Sequence, residues 1–295
     1  MPTRPTISSF GAALEGSDLY ADDHHWGDKR INVRAHDLPA LKARYLLEHL
    51  PATGRVLEVG CGGGRLLNTV AAHRPRLELH GCDIRPLRYP PASFQFTLVG
   101  LETAALPYRP ASFDAVVMMD ALEHFQDPAA ALHAAGSVLR PQGLLVSFTP
   151  LEGQRLSFYR LYRRILGDDL YVRTKEHLQS FSERDLLRLL EQDFHVVDRV
   201  YAYHAVGHLM DATLFALTAI PGLRRRFWQA NPFYEEAAAG SPTAGTHSAL
   251  SQMLRVANAL AYAESRALRG VNWGAAGILF AAVAQQVPTL ERRLP

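Results

Sequence analysis

The chain has 295 residues, of which 48% are hydrophobic and 20% are charged, and its formal net charge is +2. This composition is ordinary for a globular protein, and so small a net charge predicts no nucleic-acid partner. No apolar run reaches the roughly 18 residues of a membrane-spanning helix, and the start of the chain has no apolar secretory segment. With only Cys61 and Cys82, no disulfide framework is expected, so we predict a cytoplasmic protein.

The predicted elements begin with one helix and then alternate between strands and helices. LPALKARYLLEHL, residues 38–50, repeats apolar residues at helical spacing and ends at Pro51. The strand candidates that follow are RVLEVG, LELHGCDI, FQFTLVG, FDAVVMMD and GLLVSFTP, and helical runs follow the first and precede the last. Because these strands are apolar along their whole length, they predict a parallel sheet covered on both faces. Right-handed crossovers then make the sheet doubly wound.

Two later segments depart from this alternation. Pro86, Pro90 and Pro91 forbid a regular helix after the second strand, so that crossover is expected to be irregular. FHVVDRVYAY and GILFAAVAQQ are predicted strands, and the helical pattern of roughly 70 residues between them is too long for a plain connection.

A glycine-rich turn follows the first predicted strand, in VLEVGCGGGRLL at residues 56–67. Glycine lets a ligand approach the backbone, and the start of the next helix offers free N–H groups. The dinucleotide fingerprint G-x-G-x-x-G fits poorly, because Arg65 stands where its third glycine should be. S-adenosylmethionine is the other candidate, since its cationic amino group favours a carboxylate such as Glu58 just before Gly60. A tight turn with no ligand remains a third interpretation.

A carboxylate ends the second predicted strand. Asp83 lies about 20 residues beyond the glycine turn, where a side chain can accept hydrogen bonds from both ribose hydroxyls. This position serves NAD and S-adenosylmethionine alike, so it supports a nucleoside cofactor without choosing between them.

The stretch from residue 56 to 150 resembles the class I S-adenosylmethionine-dependent methyltransferases, especially those of quinone biosynthesis and small-molecule methylation. The resemblance is carried by LEVGCGGG, Asp83, LPYRPASFDAVVMMDALEHFQDP and LRPQGLLVSFTP. Gln142 departs from the glycine usual in its turn, and Glu102 from the aspartate usual near the adenine. The resemblance implies an α/β, Rossmann-like, seven-stranded sheet of order 3-2-1-4-5-7-6. Its last strand is antiparallel, and a helical insertion separates strands six and seven.

The predicted site lies at the ends of these strands. We predict S-adenosylmethionine as the cofactor, bound by Glu58, Gly60, Cys61, Gly62, Asp83, Ile84, Glu102, Thr103 and Asp120. His124 and His177 are the candidate general bases, because a hydroxyl acceptor must lose a proton during methyl transfer. Each also has a structural interpretation, as a residue at the start of a helix. No metal is predicted, although Glu123 precedes His124 and Glu176 precedes His177.

The predicted organisation is a helical leader over residues 1–50, a cofactor-binding core over 51–204, a helical insertion over 205–272, and a last strand and tail over 273–295. The predicted function is methyl transfer to a small or amphiphilic acceptor, with an oxygen nucleophile expected. One alternative is a catalytically silent partner subunit that binds S-adenosylmethionine. An NAD-dependent oxidoreductase is the other, disfavoured by Arg65 and by the DALEH motif.

The predicted insertion carries apolar helices and a basic aromatic stretch, RRRFW, at residues 224–228. One interpretation is a helical cap that packs on the sheet and shapes the acceptor pocket. The other is a peripheral membrane contact, because Arg224 to Arg226 beside Phe227 and Trp228 suit the headgroup boundary of an anionic bilayer. The sequence gives no oligomeric state.

Overall fold

The computed structural model describes residues 27–100, 105–168, 177–218, 220, 223 and 249–285. Its centre is one seven-stranded sheet of order β3-β2-β1-β4-β5-β7-β6, as predicted. The strands are β1 (Gly54–Val59), β2 (Leu77–Asp83), β3 (Gln95–Leu98), β4 (Phe113–Met119), β5 (Leu139–Pro150), β6 (Phe194–Ala202) and β7 (Gly277–Ala284). The pairs among β1 to β5 are parallel. Only β7 is antiparallel to its neighbours, lying between β5 and β6.

The helices predicted before β1, between β1 and β2, between β4 and β5 and between β6 and β7 are present among the helices that flank the sheet. The flanking helices are α1 (Leu38–His49), α2 (Arg65–His73), α3 (Pro128–Val138), α4 (Phe158–Leu166), α5 (Glu183–Leu190), α6 (Ala205–Thr218) and α7 (Ala249–Ala267). Two clusters of buried apolar side chains lie against the sheet, one around Leu57, Phe113 and Phe280 and the other around Val56, Leu67 and Leu279. This is the covered sheet that strands apolar along their whole length predict.

The first residues of β5 differ from the prediction, because the stretch expected to form a turn before the strand is already part of it. The strand already pairs with β4 at Leu139, and the register then shifts so that Ala115 lies opposite Leu144. Gln142 takes φ +64° within this irregular stretch, which is backbone that favours glycine. Gly143 follows because a Cβ there would lie 2.8 Å from the Arg140 carbonyl oxygen.

The crossover from β2 to β3 has no helix, in agreement with its three prolines. It returns Phe94 onto the glycine turn, where the ring occupies the space of a Cβ on Gly64. Ser93 donates a hydrogen bond of 2.5 Å to the Asn68 side chain on α2. The irregular crossover therefore braces the turn that precedes α2.

Helices α6 and α7 lie between β6 and β7 in the chain and pack against each other. The sequence predicts one apolar face on α7, formed by Leu250, Met253, Leu254, Ala257, Leu260 and Ala261, of which the side chains of Leu250 and Leu254 lie outside the described part of the chain. That face is wrong in part, because Met253 is 61% exposed and Leu260 56% exposed, while Asn258, Ala261, Tyr262 and Ser265 are buried. Among the described helices, none is both long and apolar enough to cross a membrane.

Candidate active site

The glycine turn joins β1 to α2 in a conformation that side chains disfavour. Gly60, Gly62 and Gly64 have φ values of +75°, +52° and +82°. The amides of Gly60 and Cys61 donate to the Cys82 carbonyl at 2.9 and 3.1 Å, which anchors the turn to β2. The turn thus places bare backbone at the carboxyl edge of the sheet, where open α/β folds bind ligands.

Asp83 closes the turn from the end of β2. Its Oδ2 accepts a hydrogen bond from the Gly62 amide at 2.8 Å, and its Oδ1 accepts one from the Arg85 amide at 3.0 Å. Ile84 follows it and is half-buried. A carboxylate oxygen has two lone pairs, so each oxygen keeps an acceptor position for a ribose hydroxyl.

Glu58 lies beneath the turn with 4% of its surface exposed. Its buried Oε2 has no hydrogen-bond partner in the described part of the chain. Burial, and then the charge of Asp83, raise the pKa of Glu58 well above its ordinary value. A buried acceptor of this kind fits a cationic ligand group, which would favour the carboxylate form. The turn, Asp83 and Glu58 together therefore fit S-adenosylmethionine.

Cys61 and Cys82 are buried free thiols beside the turn. Burial is the main cause that raises the pKa of Cys61 and brings the pKa of Cys82 to about 12. A thiol so protonated is a poor nucleophile, which leaves both residues a packing role. A Cβ on Gly81 would lie 2.9 Å from the Cys61 sulfur, so the thiol fills space against β2.

Asp120 directly follows β4 and has left-handed backbone, with φ +51°. Lys42 of α1 donates to its two carboxylate oxygens at 2.8 and 2.6 Å. The same ammonium lies 3.6 Å from the centroid of the Phe148 ring on β5. Lys42 is absent from the predicted site, because 78 residues separate it from Asp120 and no local motif connects them.

The two predicted bases meet beyond β4. His124 ends a short 3-10 helix, Leu122–His124, and its ring contacts that of His177 edge-on, with centroids 4.9 Å apart. His177 Nδ1 lies 3.0 Å from Glu152 Oε1, and its Nε2 lies 3.9 Å from Glu123 Oε1. Glu152 is a further site residue that the sequence analysis did not identify. It is buried directly after β5, a position that could have suggested it.

Glu123 is the most unusual acid of this group. Burial, opposed by the positive charge of His177, raises its pKa to about 7. Neither carboxylate oxygen has a hydrogen-bond partner among the described residues. Ligand atoms of Glu123, His124 and His177 all lie within 4.8 Å of one another. This donor set can hold a proton or a divalent cation.

The described residues omit part of the predicted site. Glu102 and Thr103, expected near the adenine, lie outside them, as do Glu176 and the RRRFW stretch. Glu58, Gly60, Cys61, Gly62, Asp83 and Ile84 form one group around the glycine turn, and Asp120, His124 and His177 follow β4 and β5 at the same sheet edge.

Residues 30–197 match a family model described as a methyltransferase domain. The chain is 31% identical over 170 residues to a ubiquinone biosynthesis O-methyltransferase of Albidiferax ferrireducens, covering 53% of this chain and 65% of that protein. A protein of the same name from Xylella fastidiosa is 34% identical over 147 residues, covering 47% and 57%. The chain thus spans less than two thirds of these relatives. Among solved structures, the [4+2]-cyclase SpnF aligns with a TM-score of 0.53 and 18% identity over 96% of this chain and 97% of that one, which shows a shared fold.

Proposed function

The chain belongs to the methyltransferase-domain family, and from this membership we propose that it is an S-adenosylmethionine-dependent methyltransferase acting on an oxygen nucleophile. Membership confirms the predicted family and its cofactor. The acceptor class that we propose is a small or amphiphilic molecule with a hydroxyl group. The observation that carries the proposal is the group formed by the glycine turn, Asp83 and the buried Glu58 carboxylate.

The cofactor supplies a methyl group already activated by a sulfonium, so the protein mainly binds and orients the reactants. Asp83 is proposed to bind the ribose hydroxyls, and Gly60 and Gly62 to allow the ligand to approach the backbone. Asp120, held by Lys42, borders the same edge of the sheet. For the residues outside the described chain, Glu102 and Thr103, the proposal is contact with the adenine side of the cofactor.

Proton removal from the acceptor is proposed to fall to the histidine pair. Glu152 contacts Nδ1 of His177, by a hydrogen bond or an ion pair. The other ring nitrogen of His177, Nε2, faces Glu123 and the His124 ring. An imidazole so oriented can take a proton from a hydroxyl that lies beside it. The names of the relatives support the choice of oxygen, because both are O-methyltransferases.

A divalent cation at Glu123, His124 and His177 is the competing role for the same cluster, favoured by its donor set. A bound cation would lower the pKa of a hydroxyl acceptor directly and would make a histidine base unnecessary. The two roles separate on treatment with EDTA. Turnover that survives EDTA and is lost in His124→Ala and His177→Ala supports the base, whereas turnover lost in EDTA and restored by Mg²⁺ or Zn²⁺ supports the cation.

Calorimetry with S-adenosylhomocysteine and with NAD tests the cofactor assignment. We expect binding of S-adenosylhomocysteine alone, and binding of NAD alone would contradict the proposal. Turnover is then measured as S-adenosylhomocysteine release with catechols, phenols, aliphatic alcohols and amines. Release with hydroxylated acceptors is the expected result. Binding without release across this set would instead favour the silent partner subunit.

The expected setting remains a cytoplasmic protein, with residues 224–228 proposed to touch the inner face of a membrane. This proposal rests on sequence, because those residues lie outside the described part of the chain. We also propose the domain boundaries predicted from the sequence, which lie after residues 50, 204 and 272.

A further inference from the structure

Helix α4 turns an apolar stripe toward solvent. Leu161 is 55% exposed and Ile165 69% exposed, and Phe158 lies on the same stripe because the spacing is i, i+3, i+7. Leu156, just before the helix, is 57% exposed. Single exposed apolar residues are normal on a protein surface, but a contiguous apolar stripe on one short helix indicates an interaction site.

The opposite face of α4 fixes the direction of the stripe. Tyr159 and Tyr162 are buried, and the Tyr159 hydroxyl donates to the carboxylate of Asp211 on α6. At the start of the helix, His208 Nε2 accepts from the Phe158 amide at 3.0 Å. These contacts hold α4 against α6, so Leu161 and Ile165 cannot turn inward without breaking them.

Arginines follow the stripe along one side. The segment RLSFYRLYRRIL, residues 155–166, contains four arginines and no acidic residue. Arg155, Arg160 and Arg164 are exposed, and Arg163 forms an ion pair of 2.7 Å with Asp168. On a helical wheel Arg160 and Arg164 are neighbours at i, i+4, next to Leu161. We call Leu156, Phe158, Leu161 and Ile165 with these three exposed arginines the α4 face.

We propose that the α4 face docks on the surface of an anionic phospholipid bilayer. The apolar stripe would enter the boundary of the acyl chains while the adjacent guanidinium groups meet lipid phosphates. The positive charge of the segment favours an anionic partner. The apolar stripe beside it is narrow, which favours a lipid surface, because lipid accepts apolar side chains without a groove of matching shape. This inference does not depend on methyl transfer, and it adds a membrane contact that is separate from the one proposed for residues 224–228.

The position of α4 gives this contact a use. Glu152, which contacts His177, lies in the short connection between β5 and α4, so docking of α4 would bring the edge of the sheet that carries the cluster close to the lipid. An amphiphilic acceptor could then reach the cluster without leaving the membrane surface.

Co-sedimentation of the full chain with vesicles tests the proposal. The vesicles are equal parts phosphatidylcholine and phosphatidylglycerol, compared with pure phosphatidylcholine, at low and high salt. Each arginine near an anionic surface contributes roughly a five-fold gain in binding, so Arg160→Glu with Arg164→Glu should weaken binding by at least about 25-fold. Binding should also fall at high salt, because the charges are exposed.

Two matched pairs control for charge and for apolar surface. Arg184→Glu with Arg188→Glu makes the same change at the same spacing on α5, where both residues are exposed. Val256→Ser with Leu260→Ser removes exposed apolar side chains from α7 and is compared with Leu161→Ser with Ile165→Ser. Near-ultraviolet circular dichroism and S-adenosylhomocysteine binding check that every variant is folded.

Loss of binding in the two α4 pairs, with binding kept in both control pairs, is the supporting result. The proposal is overturned if the wild type stays in solution with anionic vesicles at low salt. It is also overturned if the control pairs lose as much vesicle binding as the α4 pairs. It is also overturned if only an Arg224/Arg225/Arg226→Ser variant loses binding. If the wild type does not bind vesicles and the molar mass in solution halves in the Leu161→Ser, Ile165→Ser variant, the α4 face instead contacts a second copy of the chain.

Discussion

Asp83 accepts hydrogen bonds from two backbone amides and is also the proposed acceptor for the ribose. Asp83→Ala should weaken S-adenosylhomocysteine binding by about 10- to 100-fold, since a charge-assisted hydrogen bond contributes about 1.5–3 kcal/mol. Isothermal titration calorimetry measures the change. Gly62→Val should weaken binding as well, because Gly62 has φ +52°, which a β-branched residue disfavours, and its amide donates to Asp83. Gly270→Val is the control, since a Cβ there meets no atom within 4 Å. Unchanged affinity in Asp83→Ala would refute the assignment.

Glu123 predicts a pH dependence of stability. Its pKa is about 7 in the folded protein, against an ordinary value of 4.5. Because the folded pKa is the higher one, the contribution of the protonated group is complete below pH 4.5 and is lost as pH rises through 7. The glutamine of Glu123→Gln stays neutral at every pH. Between pH 4.5 and 7 the free energy of unfolding of this variant should therefore rise relative to that of the wild type, by on the order of 3 kcal/mol.

Urea unfolding at a series of pH values, in EDTA, measures the difference between Glu123→Gln and the wild type. The two curves should separate between pH 4.5 and 7 and run parallel at higher pH. Curves that stay parallel throughout would show that the pKa of Glu123 is the same in the folded and the unfolded protein.

At the level of single elements, the irregular first part of β5 holds Gln142 in left-handed backbone. Gln142→Gly should raise the free energy of unfolding by about 1 kcal/mol, because a residue with a Cβ pays roughly that amount in this conformation. Gly143→Ala is the opposite test at the next residue, where a Cβ would lie 2.8 Å from a backbone oxygen. A destabilised Gln142→Gly would mean that the glutamine side chain contributes more than the strain removes.

The start of α5 is fixed by Ser182, whose hydroxyl accepts from the Asp185 amide at 3.3 Å. Ser182 is thus the N-cap of this helix, with Asp185 at the third helical position. Ser182→Ala should cost about 1 kcal/mol in thermal or urea unfolding, as for other N-caps. Ser182→Asp should recover most of that loss, and equal stability of all three proteins would contradict the capping role.

The elements were largely predictable because each depends on local pattern. Apolar strands, the prolines at 86, 90 and 91 and the glycine turn act within a few residues, so strand and helix bounds agree closely. The glycine turn was predictable for the same reason, since Glu58, Gly60, Gly62 and Asp83 lie at or just after the ends of two successive strands. The exposed stripes of α4 and α7 were not predictable, because hydrophobic periodicity gives an apolar face without saying whether anything covers it.

Across the whole molecule, the contacts that no pattern predicts join distant segments. Lys42 reaches Asp120 from a helix that precedes the glycine turn, and Glu152 meets His177 across the α4 region. Charge and periodicity do not specify such pairs, which depend on how the elements pack. The strand order itself came from family resemblance, since strand propensity alone does not place β7 between β5 and β6.

The burial of a leucine side chain should determine how much its replacement by alanine lowers the free energy of unfolding. Leu279 lies in β7 with 0% of its surface exposed, whereas Leu98 on edge strand β3 is 57% exposed. Leu279→Ala should cost about 2–5 kcal/mol through the cavity that it leaves. Leu98→Ala should stay within about 0.5 kcal/mol, as exposed substitutions do. Urea unfolding measures both, and equal costs would contradict the difference in burial between Leu279 and Leu98.

A ribosome delivers the chain from its N-terminus, so β5 and β6 are synthesised before the strand that joins them. Residues 203–276 must still be translated after β6 before β7 begins to emerge. During that interval β5 presents an unpaired edge and β6 has no partner in the sheet, and unpaired edges invite aggregation. A nascent chain stalled in this interval should recruit chaperones, and emergence of residues 277–284 should release them.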